Sequence, residues 1–402
     1  MKKLISAFTA VIVMICAVSN SVFADTASDS CLNRTIGYTV NTLFADGSQQ
    51  FGDEWYIIAL ARSGNTSVSG VLDKYYLSAA EDLKAKDGEY KDSKGNQSLN
   101  DYIRVMMALT AMGRDVTDFA GYDLCSKISS LDFTDYQNSS TSTLAYALDM
   151  IYLYSDKIAD AQSLKEKVCA EIMTRYMDDT GFTYMTGEYA SVDPDTTAQT
   201  IQVLGLIDNS DEINKAIENS YAYLRSQQGD DGAIASWGAA NPSSTAQCLI
   251  SAAMLDEDKY AEFTAQSGKS LVDGLMMFEL DNGGFYEPYY GVDAGADYYT
   301  TSQALLGLTA IYRMEHDMKP LYDFSDVSFV DNKTETTQTT PVTTQAGQQG
   351  QPTVTSAPAA TSVKQTAVSQ SPATSDTAKS GMAAVVGVIA LAALVMSGTK
   401  KN

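Results

Sequence analysis

One short unit occurs three times in this chain, and it limits the fold more than any other feature. The copies are Asp193-Pro-Asp-Thr-Thr-Ala-Gln199, Asn241-Pro-Ser-Ser-Thr-Ala-Gln247 and Asp297-Tyr-Tyr-Thr-Thr-Ser-Gln303. Each copy leads into an apolar stretch rich in small residues, of which Cys248–Leu255 and Ala304–Ile311 are examples. A supersecondary unit that returns with the same layout implies a repeat architecture, because a single unit cannot bury its apolar face alone. Within each copy, Ser or Thr followed three residues later by Gln reads as a helix-capping box starting at Thr196, Ser244 and Thr300.

Between residues 25 and 325 two kinds of predicted helix alternate. Long amphipathic helices with charged faces are expected at Asp29–Phe44, Val68–Lys86, Val116–Ser130, Lys157–Met177, Glu212–Gln228 and Lys259–Leu280. Shorter, less charged helices rich in Ala, Gly and Leu are expected at Asp53–Arg62, Asp101–Met112, Ser142–Tyr154, Thr196–Ile207, Ser244–Leu255 and Thr300–Met314. A helix with one wet face belongs on an outer ring. A helix of small residues all round belongs inside, packed on several sides. The expected fold is therefore all-α, an α6/α6 double-layered toroid of six helix-pair repeats.

The links are unequal. Those from inner to outer helices are short. Those from outer to inner helices are mostly long, and most carry a glycine turn, as in Asp231-Gly232 and Asn282-Gly-Gly-Phe285. Long loops in a compact domain are commonly functional. They gather at the mouth where the inner helices begin, so a site is expected there.

The flanks suggest export and anchoring. Residues 1–24 have a basic start, an apolar run and a small-residue cleavage site, the pattern of a signal peptide. Residues 326–380 are rich in Thr, Gln, Ser and Pro and read as a disordered stalk. Residues 381–402 form an apolar segment ending in Lys400 and Lys401, the pattern of a transmembrane or anchor segment. Just before it, Ser371-Pro-Ala-Thr-Ser375 resembles a relaxed sortase signal, so the expected link to membrane or cell wall is either a retained helix or a sortase-type attachment.

A formal charge of -23 leaves no basic footprint for phosphates, and nucleic acid is excluded as a partner. After signal removal, Cys31, Cys125, Cys169 and Cys248 remain; they could form two disulfides in any of three pairings, while their placement on helices suggests buried free thiols. With His316 as the sole histidine and no C-x-x-C, neither a metal nor a cofactor is expected.

Residues 26–315 resemble the terpene cyclase/protein prenyltransferase superfamily. Leu224-Arg-Ser-Gln-Gln-Gly-Asp-Asp-Gly232 and Phe278-Glu-Leu-Asp-Asn-Gly-Gly-Phe285 are similar to its Q-x-x-x-G-x-W repeat motif. Asp193-Pro-Asp-Thr-Thr-Ala198 is similar to the D-x-D-D-T-A box of class II terpene cyclases, with Thr196 in place of the third acid. The resemblance implies an α6/α6 toroid, and for the box it implies Asp195 as a catalytic acid beside Asp193.

Three functions follow as expectations. The first is a surface-displayed module, not catalytic, that binds an extracellular small molecule, glycan or protein at the long-loop mouth. Its candidate contacts are Trp237, Tyr184, Tyr286, Glu287, Tyr289, Asp53 and Trp55, since aromatic faces with polar tips suit such ligands. The second is a carboxylate-dependent, glycan-active enzyme, which needs two carboxyls at a set separation. The third is a degenerate class II cyclase with Asp195 as acid. Capping alone accounts for the Thr and Gln of each unit, which leaves Asp193 and Asp195 as the feature that a function would have to explain.

Overall fold

The computed structural model describes residues 26–329, apart from Tyr189, Asp208, Asn209 and Asp256. The expected signal peptide, the anchor and all but the first residues of the expected stalk lie outside the described residues. Among the described residues no helix is long and apolar enough to cross a membrane.

The described chain is mostly helical, with two small two-stranded hairpins. Its principal helices are α1 (Ala27–Tyr38), α2 (Glu54–Arg62), α3 (Ser69–Ala85), α4 (Leu99–Ala111), α5 (Leu124–Ser129) and α6 (Thr141–Leu153). These are followed by α7 (Ala161–Met173), α8 (Pro194–Leu204), α9 (Asp211–Ser226), α10 (Pro242–Leu255), α11 (Leu271–Met276) and α12 (Tyr298–Glu315). The even-numbered helices touch in sequence, α2 to α4, α6, α8, α10 and α12, and α12 returns to α2, so the contacts close on themselves. The odd-numbered helices lie outside them: α3 packs on α2, α5 on α4, α7 on α6, α9 on α8 and α11 on α10, while α1 packs on α12.

Composition explains which helices are central. In α10 every residue from Pro242 to Met254 is buried, whereas α9 buries only one stripe, Ala216, Ile217, Ser220, Tyr221 and Leu224. Small residues set the inner spacing. A Cβ on Gly307 would come within 3.2 Å of the Ala246 backbone, so α10 and α12 approach closely through that glycine.

Two of the long outer helices expected from sequence are broken. Val116–Ser130 contains a short 3-10 turn, then Ala120 and Gly121 at positive φ, and restarts with Asp123 capping the amide of Ser126. Lys259–Leu280 stops after Ala261 and resumes at α11, where Ser270 and Asp273 form a reciprocal capping box beyond a turn at Gly268. In both cases a local cap and a left-handed turn override the helical period.

The inner helices also start earlier than the capping reading places them. The caps are Asp193, Asn241 and Asp297, whose side-chain oxygens accept from the amides of Thr196 (2.8 Å), Ser244 (2.9 Å) and Thr300 (2.8 Å). Proline follows in two of them, at Pro194 and Pro242, where its missing N–H is no loss. The next threonine in each unit ties the helix to the preceding glycine turn. Thr197, Thr245 and Thr301 hydroxyls accept from the amides of Phe182 (3.0 Å), Ile234 (2.9 Å) and Phe285 (3.0 Å).

The far end, where the inner helices finish, is closed by the chain after α12. Arg62 donates to the carbonyls of Leu321 (3.0 Å) and Asp323 (2.8 Å), and Arg62 and Arg313 each contact the Asp326 carboxylate at 2.6 Å. Leu321, Tyr322 and Phe324 are buried as a result. The folded part thus runs past the expected boundary at 325, and Asp326 belongs to it rather than to the stalk. Among the described residues Cys31, Cys125 and Cys248 are free and buried, and Cys169 is free and half-buried.

Candidate functional site

A cavity of about 140 Å³ sits where the inner helices begin. Its wall follows one rule. Counting two residues past each cap (Asp53, Ser98, Ser140, Asp193, Asn241 and Asp297) gives Trp55, Asn100, Ser142, Asp195, Ser243 and Tyr299. Five of these, all but Ser243, line the cavity. Residues at that position lie in the first helical turn, so a closed set of helices starting at one level points one side chain from each helix toward the shared axis. Tyr146, one turn deeper on α6, packs against Trp55 with ring centroids 5.5 Å apart. Tyr146 in turn meets the buried Tyr322 of the closing tail at 5.4 Å, which closes the floor.

The cavity adjoins a groove of about 470 Å³. The two share Asn100, Ser140, Thr143 and Tyr184. The groove continues between the loop Asp92–Ser98 and the segment Thr134–Ser140. Both walls are held by internal bonds. Asp92 accepts from the amides of Lys94 and Asn96, each at 2.8 Å. The buried Arg175 guanidinium donates to the carbonyls of Ser139 (2.7 Å) and Gln137 (3.0 Å), and the Thr141 amide donates to Tyr184 (2.9 Å).

Two side chains of the lining each carry one buried polar atom without a hydrogen-bond partner. Asp195 Oδ1 and Asn100 Nδ2 are both sealed from bulk solvent and unpartnered. Burial, then the neighbouring Asp193 charge and Glu287, push the Asp195 carboxyl up to about 7. Ser244 on α10 offsets part of this, although its hydroxyl and Asp195 Oδ1 do not reach hydrogen-bond geometry and each is left unpaired. Burial, followed by the Asp195 charge, also raises the Tyr299 hydroxyl well above the ordinary tyrosine value.

Of the residues singled out from sequence, Asp193, Asp195, Trp55 and Tyr184 come together at this cavity. Asp193 is a cap like Asp297, so the two carboxylates are not a matched pair: Asp193 is committed to the Thr196 amide and only Asp195 differs from its sister positions. Asp53 is tied up beside α2, accepting from the Gln50 amide (2.7 Å) and the Tyr298 hydroxyl, and burial raises it to about 6. Glu287 accepts from the Thr300 hydroxyl and the Tyr289 amide, each at 3.2 Å. Tyr286 is half-buried against Phe278 at 5.6 Å. Tyr289, 87% exposed, packs its ring on Tyr290. Trp237 lies at the tip of the Ala235–Ala240 hairpin, 80% exposed, away from the cavity lining.

The sequence places Tyr299 among the aromatic residues of the mouth but does not single out Asn100, Ser142 or Tyr146. Aligning the helix starts on their caps finds Asn100 and Ser142 and sets Tyr299 where Asp195 stands. Among the described residues no group of His, Cys, Asp and Glu is arranged to hold a metal.

No protein-family model matches the chain, and no curated protein matches it either. Solved structures do. A variant of the type II terpene cyclase MstE from Scytonema, in its apo form, matches with a TM-score of 0.50 and 12% identity, over 71% of this chain and 97% of its own. A protein from Actinoplanes has a TM-score of 0.49 and 14% identity, over 71% of this chain and 99% of that one. The likeness is one of fold: the chain is a terpene cyclase-like α/α toroid.

Proposed function

We propose that the chain is a binding protein displayed at the cell surface, built as an α6/α6 toroid of six helix pairs, that seats a ligand in the groove and central cavity at its mouth without transforming it. The observation that carries this reading is a preformed cavity, continuous with a groove, whose wall combines the rings of Trp55, Tyr146 and Tyr299 with the polar side chains of Asn100, Ser142 and Asp195. Such a mixture of apolar walls and a few convergent polar groups is the usual make-up of a small-molecule site.

A thermal-shift screen of sugars, amino acids, short peptides and amines on the intact protein tests it. A stabilising ligand whose effect disappears in Asn100→Ala supports the reading. Shifts that persist unchanged in that variant refute it. Surface display rests on the terminal segments alone. It is tested by mass spectrometry of protein released from cells, where a C-terminus at Thr374 indicates sortase attachment and an intact tail indicates a retained helix.

A second reading has a specific support. A carboxyl raised to about 7 can act as a proton donor near neutral pH, the role the D-x-D box suggests for Asp195. It ranks second because Asn100, Ser140, Ser142, Thr143 and Gln199 make the cavity polar, whereas protonating an alkene calls for an apolar, dry pocket. The two-carboxylate hydrolase reading is weaker still, since Asp193 is engaged as a cap.

A further inference from the structure

We infer that the cavity takes the terminal ring of a linear, uncharged oligosaccharide, with the next few rings lying in the groove; this rests on the binding reading above and names its ligand class. Size is the first argument. A closed cavity of about 150 Å³ takes a benzene ring; this one measures about 140 Å³ and is continuous with the groove, so a pyranose ring seats in it with substituents reaching into the groove. By the same measure the groove, about 470 Å³, holds roughly three more.

The second argument is the distribution of chemistry round the axis. Following the contacts of the inner helices, α12 and α2 are neighbours and supply Tyr299 and Trp55, an aromatic wall. Across from them, α6 and α8 supply Ser142 and Asp195, with Asn100 beside them on α4. A pyranose has the same two-sided character: a face of C–H bonds that stacks on aromatic rings and a rim of hydroxyls. Each hydroxyl both donates and accepts, so one sugar can bond to the carboxyl, amide and hydroxyl side chains of that polar side together.

The third argument is that the seat is a dead end. The Tyr146–Tyr322 contact closes its floor, and the cavity meets the groove at Asn100, Ser140, Thr143 and Tyr184. A chain must therefore enter by its end. Asp92 and Asp135 in the groove, with Asp193 and Asp195 within, face the single Lys94, which selects against carboxylated or sulfated sugars.

The test is titration calorimetry of the full chain with mono- to hexasaccharides of gluco-, manno-, galacto-, xylo- and N-acetylhexosamine type. It adds a cyclic glucan, which has no end, against the linear glucan of equal length, and oligogalacturonate as the acidic counterpart. The expected result is that one neutral series binds, with affinity rising to about four rings and then levelling. The cyclic and acidic sugars should bind at least tenfold more weakly, and Asn100→Ala and the rim variant Tyr184→Ala should each lose at least tenfold while keeping the parent's circular dichroism and melting point. Equal binding of linear and cyclic glucans, or binding untouched by both variants, overturns the inference. If no sugar binds but an amine or peptide does, and Asn100→Ala abolishes it, the sugar assignment falls while the binding function stands. If nothing in either panel binds, both fall.

Discussion

Replacing Asp195 by Asn should make the protein more stable and a poorer binder. The carboxyl titrates near 7 in the folded state against 3.8 for the free group. Linkage then gives a penalty for the folded protein of roughly 4 kcal/mol at pH 7, as an upper limit. The sign follows from the direction of the shift. Below about pH 4 the group is protonated folded or unfolded, and Asn gains nothing. As pH rises toward 7 the unfolded chain ionises while the folded one resists, so the penalty builds up and then levels off. The cavity is open to the groove, and water there screens the charge, so a gain of about 1–3 kcal/mol is the realistic expectation. For a domain of this size that raises the melting point by about 2–6 °C at pH 7.5, with no change at pH 4. Scanning calorimetry of both proteins at the two pH values measures it. An equal gain at both pH values, or a loss at pH 7.5, would refute the reasoning, because it would mean that Asp195 is not held in the cavity against its own ionisation. In the same variant, ligand binding should weaken, since the amide cannot supply the same acceptors.

Asp326→Asn removes the partner of two buried guanidiniums and should destabilise by about 1–3 kcal/mol by denaturant titration. Burial opposes the Asp326 charge, but Arg62 and then Arg313 outweigh it and hold the carboxyl below its ordinary value. The stabilisation is therefore present above the ordinary carboxylate range and lost as pH falls through the lowered value; an unchanged acid limb in Asp326→Asn counts against this. Gly232 has φ +90° and a Cβ there would sit 2.2 Å from the Ser270 carbonyl oxygen, so Gly232→Ala should cost about 2–4 kcal/mol and lower the melting point. Trp237 has φ +54° and almost no packing, so Trp237→Gly should keep or raise stability, by up to about 1 kcal/mol, and should leave cavity binding intact. A lost ligand in that variant would place the site at the hairpin instead.

The inner helices were legible because their signal is local and repeated. Small apolar residues on all sides, a polar cap and a glycine turn upstream are visible in any one copy, and the expected starts fall close to those of α2, α4, α6, α8, α10 and α12. The outer helices were less so, because at Ala120–Gly121 and Gly268–Ser270 a turn and a new cap interrupt an amphipathic period that continues through them.

The site divides the same way. Sequence alone marked Asp195 as unusual and put the functional end at the mouth, since a motif and loop lengths are properties of the chain. It could not say that Asp193 is an ordinary cap, that Trp237 points to solvent, or that Trp55, Asn100, Ser142, Asp195 and Tyr299 meet. Those residues are far apart in sequence, and nothing local links them. Only the closing of α12 onto α2 brings the first turns of the helices to one level around one axis. The same closure sets Asp195 beside Asp193 in the cavity, where burial raises its carboxyl. The residue came from the sequence; its chemistry comes from the ring.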